Sequence, residues 1–313
     1  MSRCWIREGP RSGLSLSLFP ALPLETGIEI LARAFVALAR TSRGGMGAPM
    51  NDMNFEIPPR RREPAIFMPP VVIVFIAGLL AIYGLTSMLS GEGQARVDFD
   101  WGFLPGRFTA AVAPGWLTDL AARSASDPDA LTTARLLRDA LAFSGGWRLQ
   151  TLATYAFLHG SWSHVGINCV WLAAFGSPVA RRFGPARFTV FFVVAALFGA
   201  LAQWISAPYE SIPVIGASAA DSGLMAAAAR FIFRPGAAQN PWARASSLRE
   251  LLTDRRALMF IAIWMATNFL FGAGAETLGA SQAPVAWVAH IGGFVAGLLL
   301  FGPFDSPWRR PAW

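Results

Sequence analysis

Six blocks of apolar residues follow one another along the chain: Val71–Leu89, Ser161–Gly176, Phe188–Ile205, Ile215–Phe233, Ala257–Phe271 and Val285–Phe301. Apolar residues predominate within each block. They neither alternate at every second position nor form a single stripe, which predicts helices that are apolar all round. Four of the blocks approach the ~20 residues that cross the ~30 Å hydrocarbon core of a bilayer. The second and fifth are shorter and suit a thinned bilayer or shielding by neighbouring helices. The second also carries His164 and Asn168 within it. The predicted fold class is an all-α membrane protein, a bundle of six transmembrane helices.

The intervals divide the chain further. Residues 1–66 are rich in Arg, Ser, Pro and Gly. They are read as a disordered N-terminal extension, or as lying before the true start, since Met46, Met50 and Met53 follow. A short amphipathic helix over Ile28–Leu38 and an organelle-targeting segment are the other readings. Residues 67–303 form the membrane domain, and 304–313 a short cytoplasmic tail. The connection from Ser90 to Trp147 is long and bears Asp98, Asp100, Asp119, Asp127 and Asp129; connections of that length are uncommon and often functional.

Composition excludes an ordinary soluble domain. The chain is 54% hydrophobic and 14% charged, against about 25% charged in soluble domains. The net charge is +7 and every basic side chain is arginine. These arginines flank the apolar blocks without interleaved aromatics, so nucleic acid is not the expected partner. Arg60, Arg61 and Arg62 precede the first block, and Arg181, Arg182 and Arg187 separate the second from the third. Arg230, Arg234, Arg244, Arg249, Arg255 and Arg256 separate the fourth from the fifth, and Arg309 and Arg310 follow the sixth. The remaining short connections carry Glu210 and Glu276 and no arginine. Alternate loops are thus basic, as six spans with both ends cytoplasmic require. The expected location is a bacterial inner membrane, with an organelle membrane as the alternative. Cys4 and Cys169 suggest neither a disulfide framework nor a metal site.

Ionisable and strongly polar groups inside spans are costly, and are functional suspects for that reason. The three histidines, His159, His164 and His290, all lie in or beside the blocks. Ser218 opens the fourth block among small residues, where free backbone N–H groups and the positive helix end favour an oxyanion. Taken alone, a serine there is more often a helix-to-helix hydrogen bonder than a nucleophile. A nucleophile needs a base, and His290 is the candidate. His290 shares a helix face with Gly293, and Gly293 and Gly297 form a small-xxx-small pair that admits a close neighbour. His164 and Asn168 are four apart, so both point to one side; they serve either as structural bonds or as donors to an oxyanion.

Taken together, the motifs Gly216-Ala217-Ser218-Ala219, Ala289-His290-Ile291-Gly292-Gly293, His164-Val165-Gly166-Ile167-Asn168 and Trp147-Arg148 resemble the rhomboid family of intramembrane serine proteases. The likeness covers roughly Pro69 to Pro303. It implies a Ser–His dyad in which Ser218 attacks and His290 moves the proton. Asn168, His164 and the Ser218 backbone N–H would hold the oxyanion, with Gly216 and Gly293 as structural neighbours of the site. Trp147 and Arg148 would brace the first loop. The implied partners are single-span membrane proteins as substrates and the lipid bilayer; no cofactor or metal is implied, and no oligomeric state. Two positions depart from the family pattern: Ala219 stands where glycine is usual and Asp221 where an apolar residue is usual. For Asp221 a solvated or arginine-paired structural role is expected; interaction with His290 is the alternative. A catalytically weak or inactive member that binds transmembrane helices for quality control competes with the protease. So does a transporter or channel, which would extend the polar residues across the full membrane depth.

Overall fold

A computed structural model of the chain describes residues 68–112, 115, 132, 148–237, 244–270 and 286–305. The extension 1–66 with its Ile28–Leu38 helix, Cys4, Trp147, the connection carrying Glu276 and the chain after Asp305 lie outside the described residues. All described residues belong to the compact unit Glu63–Trp313. Among them there is no strand; one isolated bridge pairs Phe103 with Val214.

Six helices correspond to the six apolar blocks. Helix α1 is Pro70–Thr86. Helix α2 runs Trp162–Trp171, passes through a π turn over Leu172–Gly176 and continues as Ser177–Phe183. Then come α3, Pro185–Ser206; α4, Ser218–Ile232; α5, Arg255–Phe269; and α6, Trp287–Phe304. The second block, short by hydropathy, thus belongs to a much longer helix. Its last turn carries Arg181 and Arg182, which complement the negative helix end and end the hydrophobic signal early. By length and composition α3 and α6 are long and apolar enough to cross a membrane, and α1 is a shorter apolar helix.

Local chemistry sets the helix boundaries. Pro70 opens α1 at a position where the missing N–H costs nothing. The Ser161 hydroxyl caps α2 by accepting the His164 N–H at 3.1 Å. Gly184, at φ 79°, breaks the chain between α2 and α3, and Pro185 restarts it. Asp254 caps α5 by accepting from Arg256 and Ala257. Before it, Ser247 and Glu250 form a reciprocal capping box. Those bonds from Ser247 hold the Glu250 carboxyl down to about 2.

Helix α4 is the centre of the bundle: twelve of its fifteen residues are buried. It packs most extensively on α6 and then on α3. Small side chains make this possible. A Cβ placed on Gly293 of α6 would land on the Ala219 carbonyl, and one on Gly297 on the Gly223 carbonyl. The two backbones touch directly, as in membrane helix pairs built on small residues. Aromatic contacts fasten the periphery. Tyr83 of α1 meets Trp162 of α2 edge-on at 4.8 Å, and Trp264 of α5 stacks on Phe294 of α6 at 4.1 Å.

The ends of the bundle differ in chemistry. Arg182 grips Asp305 with two bonds of 2.7 and 2.8 Å and lies over the Phe231 and Phe301 rings. Arg230 donates to the carbonyls of Ser246 and Leu298, both at 2.7 Å. All of these lie toward the C-terminal ends of α2, α4 and α6. The connection after α1 folds at the other end. Its helices Gly91–Trp101 and Pro105–Val112 are tied down by the Phe103–Val214 bridge. Thr154 donates to the Trp101 carbonyl at 2.7 Å, and Arg148 pairs with Asp100 at 3.2 Å. Arg107 donates to the Phe99 carbonyl. Burial, aided by the Arg148 charge, pulls its guanidinium down to about 10, so it remains a cation at neutral pH.

Candidate active site

Three chain segments converge on Ser218. Gly216 lies at φ +118°, a conformation that L side chains rarely adopt, and its N–H bonds the Tyr155 carbonyl at 3.0 Å. A Cβ there would also lie 2.6 Å from Nε2 of His164. Glycine is therefore required twice over, by backbone angle and by the imidazole pressed against it. The sharp turn delivers Ser218 as the first residue of α4, at the helix end where backbone N–H groups are free of intrahelical partners.

Across the α4–α6 contact, Ser218 Oγ lies 2.7 Å from Nε2 of His290. The pair is half-buried, and its members are 72 residues apart in sequence. Direct backbone contact at Gly293 lets them meet, because a bulkier residue one turn along α6 would hold the helices apart. The other nitrogen of the ring, Nδ1, lies 2.5 Å from Oδ1 of Asn268 on α5.

His164 and Asn168 flank the turn that leads into Ser218. Asn168 is buried, and its Nδ2 lies 2.9 Å from Nε2 of His159. The rings of His159 and His164 meet edge to face at 4.9 Å. The two residues named in the sequence as oxyanion donors thus stand beside Gly216, with His159 as an additional buried partner. Gly293 lies on α6 against Ala219 and Arg148 in the braced connection; Trp147 is outside the described residues. Among the described residues no cluster of His, Cys, Asp and Glu could hold a metal ion.

The rhomboid-domain family model matches residues 146–304, just over half of the chain. The chain belongs to the rhomboid family. Members are integral membrane proteins and the family is one of intramembrane proteases. The rhomboid protease GlpG of Serratia proteamaculans strain 568 is 29% identical over 153 residues, covering 49% of this chain and 47% of that protein. The chain thus spans about half the length of this curated relative.

Within the rhomboid frame, the two departures from the family pattern have different structural settings. The methyl of Ala219 is accommodated by Gly199 on α3, where an added Cβ would lie only 2.5 Å from it. The extra carbon points away into packing and does not crowd Ser218. Ala219→Gly is accordingly expected to keep fluorophosphonate labelling within about three-fold of wild type. It should lower stability by about 1 kcal/mol, the helix cost of glycine over alanine; thermal unfolding in detergent measures it.

Among the described residues Asp221 is neither solvated nor paired, contrary to the sequence expectation. It is 1% exposed, and neither carboxyl oxygen has a hydrogen-bond partner among those residues. The reason is its place on α4: almost all of that helix is covered, and the helix-borne Arg182 and Arg230 bond at the far end of the bundle. Its position in the first turn, near the positive helix end, offsets part of the cost. A buried polar group without a partner is unfavourable. Asp221→Val is therefore expected to raise stability by about 1–2 kcal/mol, read as a higher unfolding temperature. A lower one would show that the carboxyl is bonded within the membrane.

Sequence reasoning passed over Asn268. The signal was present, since an amide stands inside the fifth apolar block. It belongs to no motif, and its face becomes meaningful only once α5 is packed on α6. His159, noted in the sequence beside the second block, lies in the turn before α2, so no helical spacing links it to Asn168.

Proposed function

We propose that the chain is an intramembrane serine endopeptidase working through Ser218 and His290. The observation that carries the reading is the 2.7 Å contact between Ser218 Oγ and His290 Nε2 at the start of a buried helix. Nε2 takes the hydroxyl proton as Oγ attacks the substrate carbonyl. The oxyanion forms at the N-terminus of α4, where the Ser218 N–H, His164 and Asn168 stabilise it. His290 then delivers the proton to the departing amine as the C–N bond breaks. Water, deprotonated by the same nitrogen, hydrolyses the acyl-enzyme and regenerates Ser218. The steps require no cofactor.

The six helices are proposed to span the membrane over residues 67–303, with 1–66 as an extension and 304–313 as a cytoplasmic tail. Arg182, Arg230 and Arg234 lie at the C-terminal ends of α2 and α4, opposite the site. The positive-inside rule then sets the site in the outer half of the membrane, in a bacterial inner membrane. The substrates are membrane proteins with one span, and the chemistry opens to one side of the bilayer rather than lining a through-path. Site polarity gathered at one end of the bundle, at the N-terminal ends of α2, α4 and α6 and the C-terminal end of α5, favours this over a transporter.

The test is labelling of purified protein with a fluorophosphonate, comparing wild type with Ser218→Ala and His290→Ala. Labelling of wild type and its loss in both variants is expected. Well-folded wild type that does not label would transfer the weight to a member that binds transmembrane helices without cleaving them.

A further inference from the structure

We propose that Asn268 is a positioning residue of this site, fixing the His290 tautomer that can accept the serine proton. The proposal rests on the protease reading above. Asn268 is 8% exposed on α5, a helix whose other faces carry exposed Leu258, Met259, Ile263 and Phe269. An amide so placed needs partners, and both of its ends find them on α6. Nδ2 lies 3.3 Å from the Trp287 carbonyl, and Oδ1 lies 2.5 Å from His290 Nδ1.

These two contacts determine the proton positions. A backbone carbonyl only accepts, so the amide nitrogen must face Trp287. The amide oxygen then faces His290, and an oxygen without hydrogen only accepts. Nδ1 of His290 therefore carries the hydrogen, and neutral Nε2 has its lone pair free. That lone pair points at Ser218 Oγ, 2.7 Å away. With the hydrogen on Nε2 instead, the ring would donate to Ser218 and could not take its proton. Asn268 also stabilises the imidazolium formed during attack, because its carbonyl dipole is aimed at Nδ1–H. The residue is held in turn by Trp264, four positions earlier on the same face of α5 and stacked on Phe294 of α6.

The experiment uses the full chain in lipid nanodiscs and measures kinact and KI for a fluorophosphonate. Asn268→Leu fills the space without an acceptor, and Asn268→Asp restores an acceptor oxygen on the same branch. Asn268→Leu is expected to lower kinact by about 10–100-fold with KI within about two-fold of wild type, as losses of orienting partners do. Asn268→Asp should recover to within about five-fold. Histidine labelled with 15N gives a readout independent of activity, assigned by difference against His290→Ala. In wild type His290 Nδ1 should be the protonated nitrogen, and in Asn268→Leu the two tautomers should mix. A kinact for folded Asn268→Leu within about two-fold of wild type would overturn the proposal while leaving the protease reading intact. So would a wild-type His290 protonated at Nε2. Absence of labelling in wild type would overturn both.

Discussion

Ser218→Ala is expected to lose substrate cleavage by at least about ten-thousand-fold, with the protein still folded. The size of the effect follows from the chemistry. Without Oγ no acyl-enzyme can form, and His290 has no hydroxyl nucleophile to deprotonate. The residual rate would come from binding and oxyanion stabilisation alone. The effect on folding is small by contrast. Ser218 Oγ bonds His290 Nε2, and Ser222 reaches the Ser218 backbone carbonyl at 2.8 Å, a bond the alanine keeps. One lost hydrogen bond at a half-buried position costs about 1 kcal/mol. Cleavage of a reporter with a single transmembrane helix, with the unfolding temperature recorded in parallel, checks both halves. Cleavage at near wild-type rate would remove Ser218 from the mechanism. Loss of the fold would show that the hydroxyl is chiefly structural.

Gly293→Val is expected to lose the folded protein. The added Cβ would coincide with the Ala219 carbonyl, and the obstacle is backbone on a helix buried all round. No rotamer change relieves such a clash; α6 must move away from α4. That separates His290 from Ser218, opens the small-residue seam through Gly223 and Gly297, and strains the Phe183–Phe301 and Trp264–Phe294 contacts. Overpacking a core usually costs about 1–3 kcal/mol; a backbone collision at the centre of the bundle belongs in the tail above about 4 kcal/mol. Gly302→Ala on the same helix is the internal control. Among the described residues nothing lies within 4 Å of its new methyl, so it should express and unfold like wild type. Size-exclusion profiles and unfolding curves of both variants in one detergent decide the matter. A monodisperse Gly293→Val protein with normal labelling would mean that the α4–α6 seam yields far more than its geometry indicates.

Much of this was legible in the linear sequence because its cause is local. Predominantly apolar blocks predict helices apolar all round, and the described residues form helices at all six. The apolar pattern starts the third and fifth blocks late, at Phe188 and Ala257, because Gly184-Pro185 and Asp254 set the helix starts through φ preference and capping rather than hydropathy. The paired glycines at 293 and 297 announce a close neighbour without saying which. Ser218 and His290 are conspicuous because serine and histidine are out of place among alanines and valines. The bounds of α2 were not legible, because Arg181 and Arg182 end a hydropathy signal without ending a helix.

Tertiary structure alone decided which of these residues touch. Helix rotation and separation depend on the whole seam, on Gly199 accommodating Ala219 and on Gly293 receiving the Ala219 carbonyl. Those contacts set Ser218 Oγ at hydrogen-bonding distance from His290 across 72 residues. The same packing brings Asn268 of α5 to Nδ1 of that ring and His159 to Asn168, and it leaves Asp221 enclosed without a hydrogen-bond partner among the described residues. Hydrophobic pattern sets which segments are helices because it acts through each helix's own surface. The meeting of polar groups in the interior depends on distances fixed to a few tenths of an ångström, and only the packed bundle sets those.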